Sequence, residues 1–267
     1  MSSAPALPAA SRENPFPVRW TTRAAWIGLG LYVIYAAAQL ELTWERFVYG
    51  LGNGGRFLAR MVPPDFGKMD LLWKGLAESL EIAVIATVFG VILSLPVGLA
   101  ASRNLMPVWA TWPARAFIAL CRSFHPVIVA ILFVKAVGFG AIAGILALIV
   151  ASIGFIAKLF AEAIEEISLK QVEAVRATGA SFMNVIFMAV VPQVLARFTG
   201  FATYQLDSNL RNSTMVGIVG GGGIGSTLFT AFQKFNYDFV LTILLAIIAI
   251  IFLGEILAGW VRKTFQQ

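Results

Sequence analysis

Six apolar stretches, each close to or above the length needed to cross a bilayer, constrain this chain more than any other feature. They fall at about residues 24–42, 76–101, 115–137, 140–163, 182–206 and 239–261. A helix needs about 20 mostly apolar residues to traverse roughly 30 Å of hydrocarbon. The expectation is an all-α, polytopic membrane protein with about six transmembrane helices. Composition agrees: 59% of residues are hydrophobic, 13% are charged, and the mean hydropathy is +0.82. Soluble domains carry about a quarter charged residues. The tryptophans fit as well, since Trp20, Trp26, Trp44, Trp73, Trp109, Trp112 and Trp260 lie at or near expected span ends, where amphipathic rings favour the headgroup zone.

The rest of the chain divides around these spans. Residues 1–22 read as a cytoplasmic N-terminal tail, without the basic start, apolar core and cleavage site of a signal peptide. Residues 23–75 hold the first span and an external connection, and 76–263 form the transmembrane domain with a polar loop at about 164–182. The net charge of +6 suits membrane-surface anchoring rather than nucleic acid, for which no soluble basic face exists. The single cysteine, Cys121, excludes an intrachain disulfide, and the single histidine, His125, excludes a histidine metal cluster.

Between the fourth and fifth spans lies the one sizeable charged stretch of the second half, Glu173 to Pro192, EAVRATGASFMNVIFMAVVP. Ala174, Ala177, Gly179 and Ala180 are small enough to let a short helix seat closely in a groove of another protein. Gly179 can end that helix in a left-handed turn, Ser181 can cap the next, and Pro192 would kink the span that follows. Glu173-Ala174, then Gly179, then an apolar triplet and Pro192 resembles the cytoplasmic loop of ABC importer permeases. Val175 stands where that family usually has a second Ala, and Ala189 and Val191 where it has a larger apolar pair. The resemblance implies a type I importer permease fold. It assigns Glu173, Ala174, Arg176, Gly179, Ala180 and Ser181 to coupling with an ATPase subunit. Basic residues divide almost evenly between the two sides, so orientation rests on this loop facing the compartment that holds ATP, with both termini cytoplasmic.

A second stretch, Gly217 to Gly225 (GIVGGGGIG), formally contains G-x-G-x-x-G, but no soluble βαβ unit surrounds it, and no Walker lysine follows. Four successive glycines, Gly220, Gly221, Gly222 and Gly223, suit a hinge or a close approach of two chains, and are expected at the centre of a dimer near the outer mouth of a pathway. The run DSNLRNSTMVGIVGGGGIG from Asp207, the Pro63-Pro64-Asp65-Phe66 connection and the LFVKAVG segment from Leu132 are similar to phosphonate permeases. Methionine-importer permeases are the nearest confusable relatives and stand as the alternative.

Charged residues inside spans are functional candidates by default. Arg122 and His125 are three apart and are expected to share a helical face. Asp207 and Arg211 are four apart and can pair. With Asn209 and Ser213 they are expected to line the pathway, where guanidinium groups match tetrahedral oxyanions. The resemblance implies a homodimer, two ATPase subunits that bind ATP and Mg, and an extracytoplasmic phosphonate-binding protein, in the cytoplasmic membrane of a bacterium. It implies no catalytic residue and no cofactor in this chain. A stand-alone carrier would show inverted repeats or a relay of buried acids, and a membrane enzyme clustered His, Asp or Glu.

Overall fold

A computed structural model describes residues 20–40 and 43–265, with side chains described up to 256 and at 259. The expected tail up to residue 19, and the side chains of Trp260, Arg262 and Lys263, lie outside the described residues. Every regular element among the described residues is helical, and the chain divides after Ala59 into two compact units.

The first unit holds α1 (Trp20–Gln39) and most of α2 (Trp44–Met61). No residue of α1 is buried, and Trp26, Ile27, Leu31 and Ile34 are exposed around it, as suits a helix solvated by lipid. Helix α2 occupies most of the expected external connection. Its Arg46, Asn53, Arg56 and Arg60 fall opposite an apolar face of Trp44, Val48, Leu51 and Leu58. That is the pattern of an amphipathic surface helix, too polar to register as a span.

The second unit is built around α3 (Met69–Ala101) and α6 (Ala141–Glu165). Small residues at helical spacing let the two backbones approach. Gly90 and Gly98 of α3 face Ser152, Ala157 and Phe160 of α6, with Ser94 buried between them in the sequence, and a Cβ on Gly90 would lie 2.4 Å from the Ser152 Cβ. This is the small-xxx-small device of helix packing in lipid. The opposite face of α3, with Val84, Val88, Phe89 and Ile92, is exposed and apolar.

The span expected at 115–137 is instead two helices, α4 (Val108–Ser123) and α5 (Pro126–Val137), bent by 90°. Phe124 and His125 are extended (ψ 136° and 141°), because the residue before Pro126 is pushed out of the helical region and Pro126 itself starts a helix well. After α6 come the short α7 (Leu169–Ala177) and α8 (Phe182–Val185). A π-helical turn at Ile186–Val190 follows, and then α9 (Val191–Ile218). The Val191 N–H reaches back five residues to Ile186 O, and this wide turn accommodates Pro192, which has no N–H to give. The fifth span therefore runs well past its expected end at 206. A glycine turn leads to α10 (Gly223–Gln233), and α11 (Tyr237–Phe265) closes the fold. The Pro63–Phe66 connection is tied to α11 by Asp65 N donating to Asp238 O (3.3 Å) and Thr242 Oγ1 to Asp65 O (2.8 Å). Four helical stretches are long and apolar enough to cross a membrane, and up to six if each bent pair counts as one span.

Candidate functional site

The charged stretch after α6 folds into a presented surface. Val172 is 1% exposed and packs with Ile164, Val185, Val190 and Val194, which fixes α7 from behind. Ser168 N donates to Gln193 Oε1 at 2.9 Å, joining the start of α7 to the start of α9. On the other side Glu173, Ala174, Arg176 and Gly179 are exposed, while Ala180 is half-buried against the same cluster. Gly179 has φ +77° and donates to Arg176 O at 3.0 Å, the left-handed ending expected of it. Ser181 occupies the N-cap position of α8, but its hydroxyl makes no cap bond, which corrects the expected capping role. Helix α7 is thus a short platform, apolar beneath and polar on top, rigidly joined to two membrane helices.

Ion pairs that sequence reasoning missed brace the bundle at this end. Arg115 Nη2 donates to Glu165 Oε1 (2.6 Å), Arg115 Nε donates to Ala101 O (2.9 Å), and the Arg103 N–H donates to the same Glu165 oxygen (2.7 Å). Arg197 of α9 pairs with Glu166. These residues are far apart in sequence, so only the helix packing brings them together.

Helix α9 sorts the pathway candidates onto two faces. Tyr204, Asp207, Arg211 and Met215 follow one another at helical spacing on the outer side. Arg211 Nη2 donates to Asp207 Oδ2 at 2.8 Å, the pair expected from their spacing. The Arg211 side chain is 58% exposed and the Asp207 side chain 14%. Asp207 Oδ1 is buried with no hydrogen-bond partner among the described residues. Tyr204 stacks on Phe155, with centroids 5.4 Å apart.

Asn209 and Ser213 face inward, and both are completely buried. Asn209 Nδ2 donates to Thr87 Oγ1 and Ser152 Oγ, each at 2.9 Å, and Gln205 Nε2 donates to Asn209 Oδ1 at 3.0 Å. Ser213 Oγ donates to Leu210 O. As placed, neither offers an atom to a pathway, and the Asn209 cluster locks α9 onto α3 and α6. The i,i+4 recurrence of Gln205 and Asn209 inside an apolar span was the signal for this cluster.

Arg122 and His125 do not share a helical face, because the break at Phe124 separates them. Arg122 ends α4, while His125 is the N-cap of α5, its Nδ1 accepting from Val127 N at 3.4 Å. Three of the four glycines pack against this chain's own helices. Gly221, Gly222 and Gly223 are buried within this chain, wedged between α3 and α6. A Cβ on Gly222 would meet Glu78 Oε1 at 2.7 Å, and one on Gly223 would meet Ser79 Oγ at 2.4 Å. Gly220 O accepts from Gly140 N (2.9 Å), and Ser79 Oγ accepts from Ile224 N (2.8 Å). The close approach they permit is between helices of one chain. Glu78, a carboxylate inside a long apolar helix, went unremarked in the sequence.

Comparison with known proteins gives a consistent result. Residues 71–267 match the family described as binding-protein-dependent transport system inner membrane component. The chain is 36% identical to the phosphite transport system permease protein PtxC of Stutzerimonas stutzeri, over 98% of this chain and 97% of the relative. It is 43% identical to the phosphate-import permease protein PhnE of Mycolicibacterium smegmatis over 76% of this chain, and so spans only 39% of that relative. Among solved structures, an inward-facing MetNI methionine ABC transporter chain matches with a TM-score of 0.66 and 26% identity. That match covers 76% of this chain and all of the other.

Proposed function

The chain belongs to the family of binding-protein-dependent transport system inner membrane components, and from that membership we propose that it is the permease subunit of an ABC importer for phosphonate or a related phosphorus oxyanion such as phosphite or phosphate. The relatives favour phosphorus oxyanions over methionine, since the phosphite permease is 36% identical and the methionine transporter chain 26%. Two copies form the pathway, two ATPase subunits dock on α7, and a binding protein that captures the anion docks on the opposite side. ATP and Mg bind the ATPase subunits; this chain holds no cofactor and catalyses no bond cleavage. Both termini then lie in the cytoplasm.

The observation that carries the mechanism is the build of α7. Its exposed face (Glu173, Ala174, Arg176, Gly179) is free to meet a partner, while Val172 beneath it is fixed to the ends of α6 and α9. A push on that face moves membrane helices instead of bending a loop. Closure of the ATPases on ATP therefore turns the pathway outward, and the exposed Arg211 on α9 offers a guanidinium to the entering oxyanion.

Uptake into proteoliposomes tests this, with the ATPase and ATP inside and the binding protein and labelled aminoalkylphosphonate, phosphite or phosphate outside. ATP-dependent uptake that Glu173→Lys reduces at least about tenfold, the cost of one charged contact, is expected. Uptake of methionine in preference to any phosphorus oxyanion overturns the substrate, and uptake indifferent to ATP overturns the mechanism.

A further inference from the structure

Between α4 and α6, at the end of the bundle that carries α7, lies a cavity of about 180 Å³ whose lining includes Arg115, Arg122, Lys158 and Glu162. Arg115 is already oriented by Ala101 O and Glu165, and Lys158 Nζ stands 3.5 Å from Glu162 Oε1. The Arg122 guanidinium makes no ion pair or hydrogen bond among the described residues, yet its stem is seated. It lies against Gly154, where a Cβ would come within 2.8 Å of Arg122 Cγ. Three cations against two carboxylates, Glu162 and Glu165, leave one positive charge uncompensated. On the same helix Trp109 and Trp112 are 79% and 75% exposed, as suits the headgroup level of a membrane.

We propose that this cavity is a binding site for a tetrahedral phosphorus oxyanion. Arg122 supplies the vacant guanidinium, Lys158 a second charge, and the Arg115–Glu165 pair the fixed wall. Guanidinium forks match such oxyanions in geometry, and a basic pocket between membrane helices is the usual seat of an anionic headgroup. A phosphate carried by an anionic phospholipid and a free phosphate present the same chemistry to these residues. The site lies apart from Arg211, and its occupancy requires neither ATP nor transport, so its failure would be separate from failure of the importer reading.

The test is equilibrium binding of radiolabelled inorganic phosphate to the full chain in phosphatidylcholine nanodiscs. A single saturable site is expected, weakened about tenfold by Arg122→Gln and by Lys158→Gln, the cost of one charge-assisted contact. Arg122→Lys retains part of the affinity and Lys135→Gln, on α5 and outside the cavity lining, leaves it unchanged, with unfolding temperatures confirming that each variant is folded. Where phosphatidylglycerol added to the discs displaces the phosphate, the natural ligand is lipid; where binding persists, it is the free anion. Two results would overturn the site. One is no saturable phosphate binding together with no phosphatidylglycerol retained on the chain in native mass spectrometry. The other is binding that Arg122→Gln and Lys158→Gln both leave intact.

Discussion

Arg211 and Asp207 show how one residue pair can be tested for a role beyond stability. Because the Asp207 side chain is only 14% exposed, removing the guanidinium leaves a largely buried carboxylate unpaired, so the unfolding temperature of each variant is measured beside its uptake. If Arg211 meets the oxyanion, Arg211→Gln lowers uptake by about tenfold or more, while Asp207→Asn, which keeps the guanidinium, does not. Equal losses in the two variants would make the pair purely structural; measured initial uptake rates decide. Glycines at this scale separate into two kinds. A Cβ on Gly144 would lie 2.3 Å from Gly221 O, a backbone atom that cannot move aside. Gly144→Ala should therefore destabilise by about 1–3 kcal/mol, seen as a lower unfolding temperature. Gly52→Ala, with nothing within 4 Å, should be neutral or slightly stabilising. The sequence made Gly179 legible, because a left-handed helix end needs only local backbone geometry. Gly144 was not legible, because its constraint comes from a turn nearly eighty residues away.

Helix α9 is the element whose two faces do different work. Its outer face carries the Asp207–Arg211 pair, and its inner face carries Gln205, Asn209 and Ser213. Polar contacts within membranes average about 0.6 kcal/mol each, so Asn209→Ala, which removes three bonds, should cost about 2 kcal/mol. Unfolding in a graded detergent series measures it, and an unchanged midpoint would mean that the cluster does not lock α9. Element by element, the long apolar helices α3, α6 and α11 were legible because apolar length alone defines them. The break between α4 and α5 was signalled by Pro126 and still read as one span, since hydropathy averages across a bend. Helix α2 was invisible for the opposite reason: its apolar residues are periodic rather than continuous.

The family match begins at residue 71, and the methionine transporter chain is matched over its whole length by 76% of this chain. The compact second unit starts at Arg60. A chain beginning there should insert into membranes and bind the ATPase, with an unfolding temperature within a few degrees of the full chain; failure to insert would show that α1 is needed for folding. By itself the sequence determined the class, the long apolar helices α3, α6 and α11 and the left-handed helix end at Gly179, because length in lipid and local turn chemistry act within a short window. Tertiary structure alone decided which polar residues face inward and which carboxylates meet Arg115 and Arg197. It also decided that Gly221, Gly222 and Gly223 are buried between helices of this chain. Each depends on helices far apart in sequence coming within a few ångströms, and no local pattern encodes that distance.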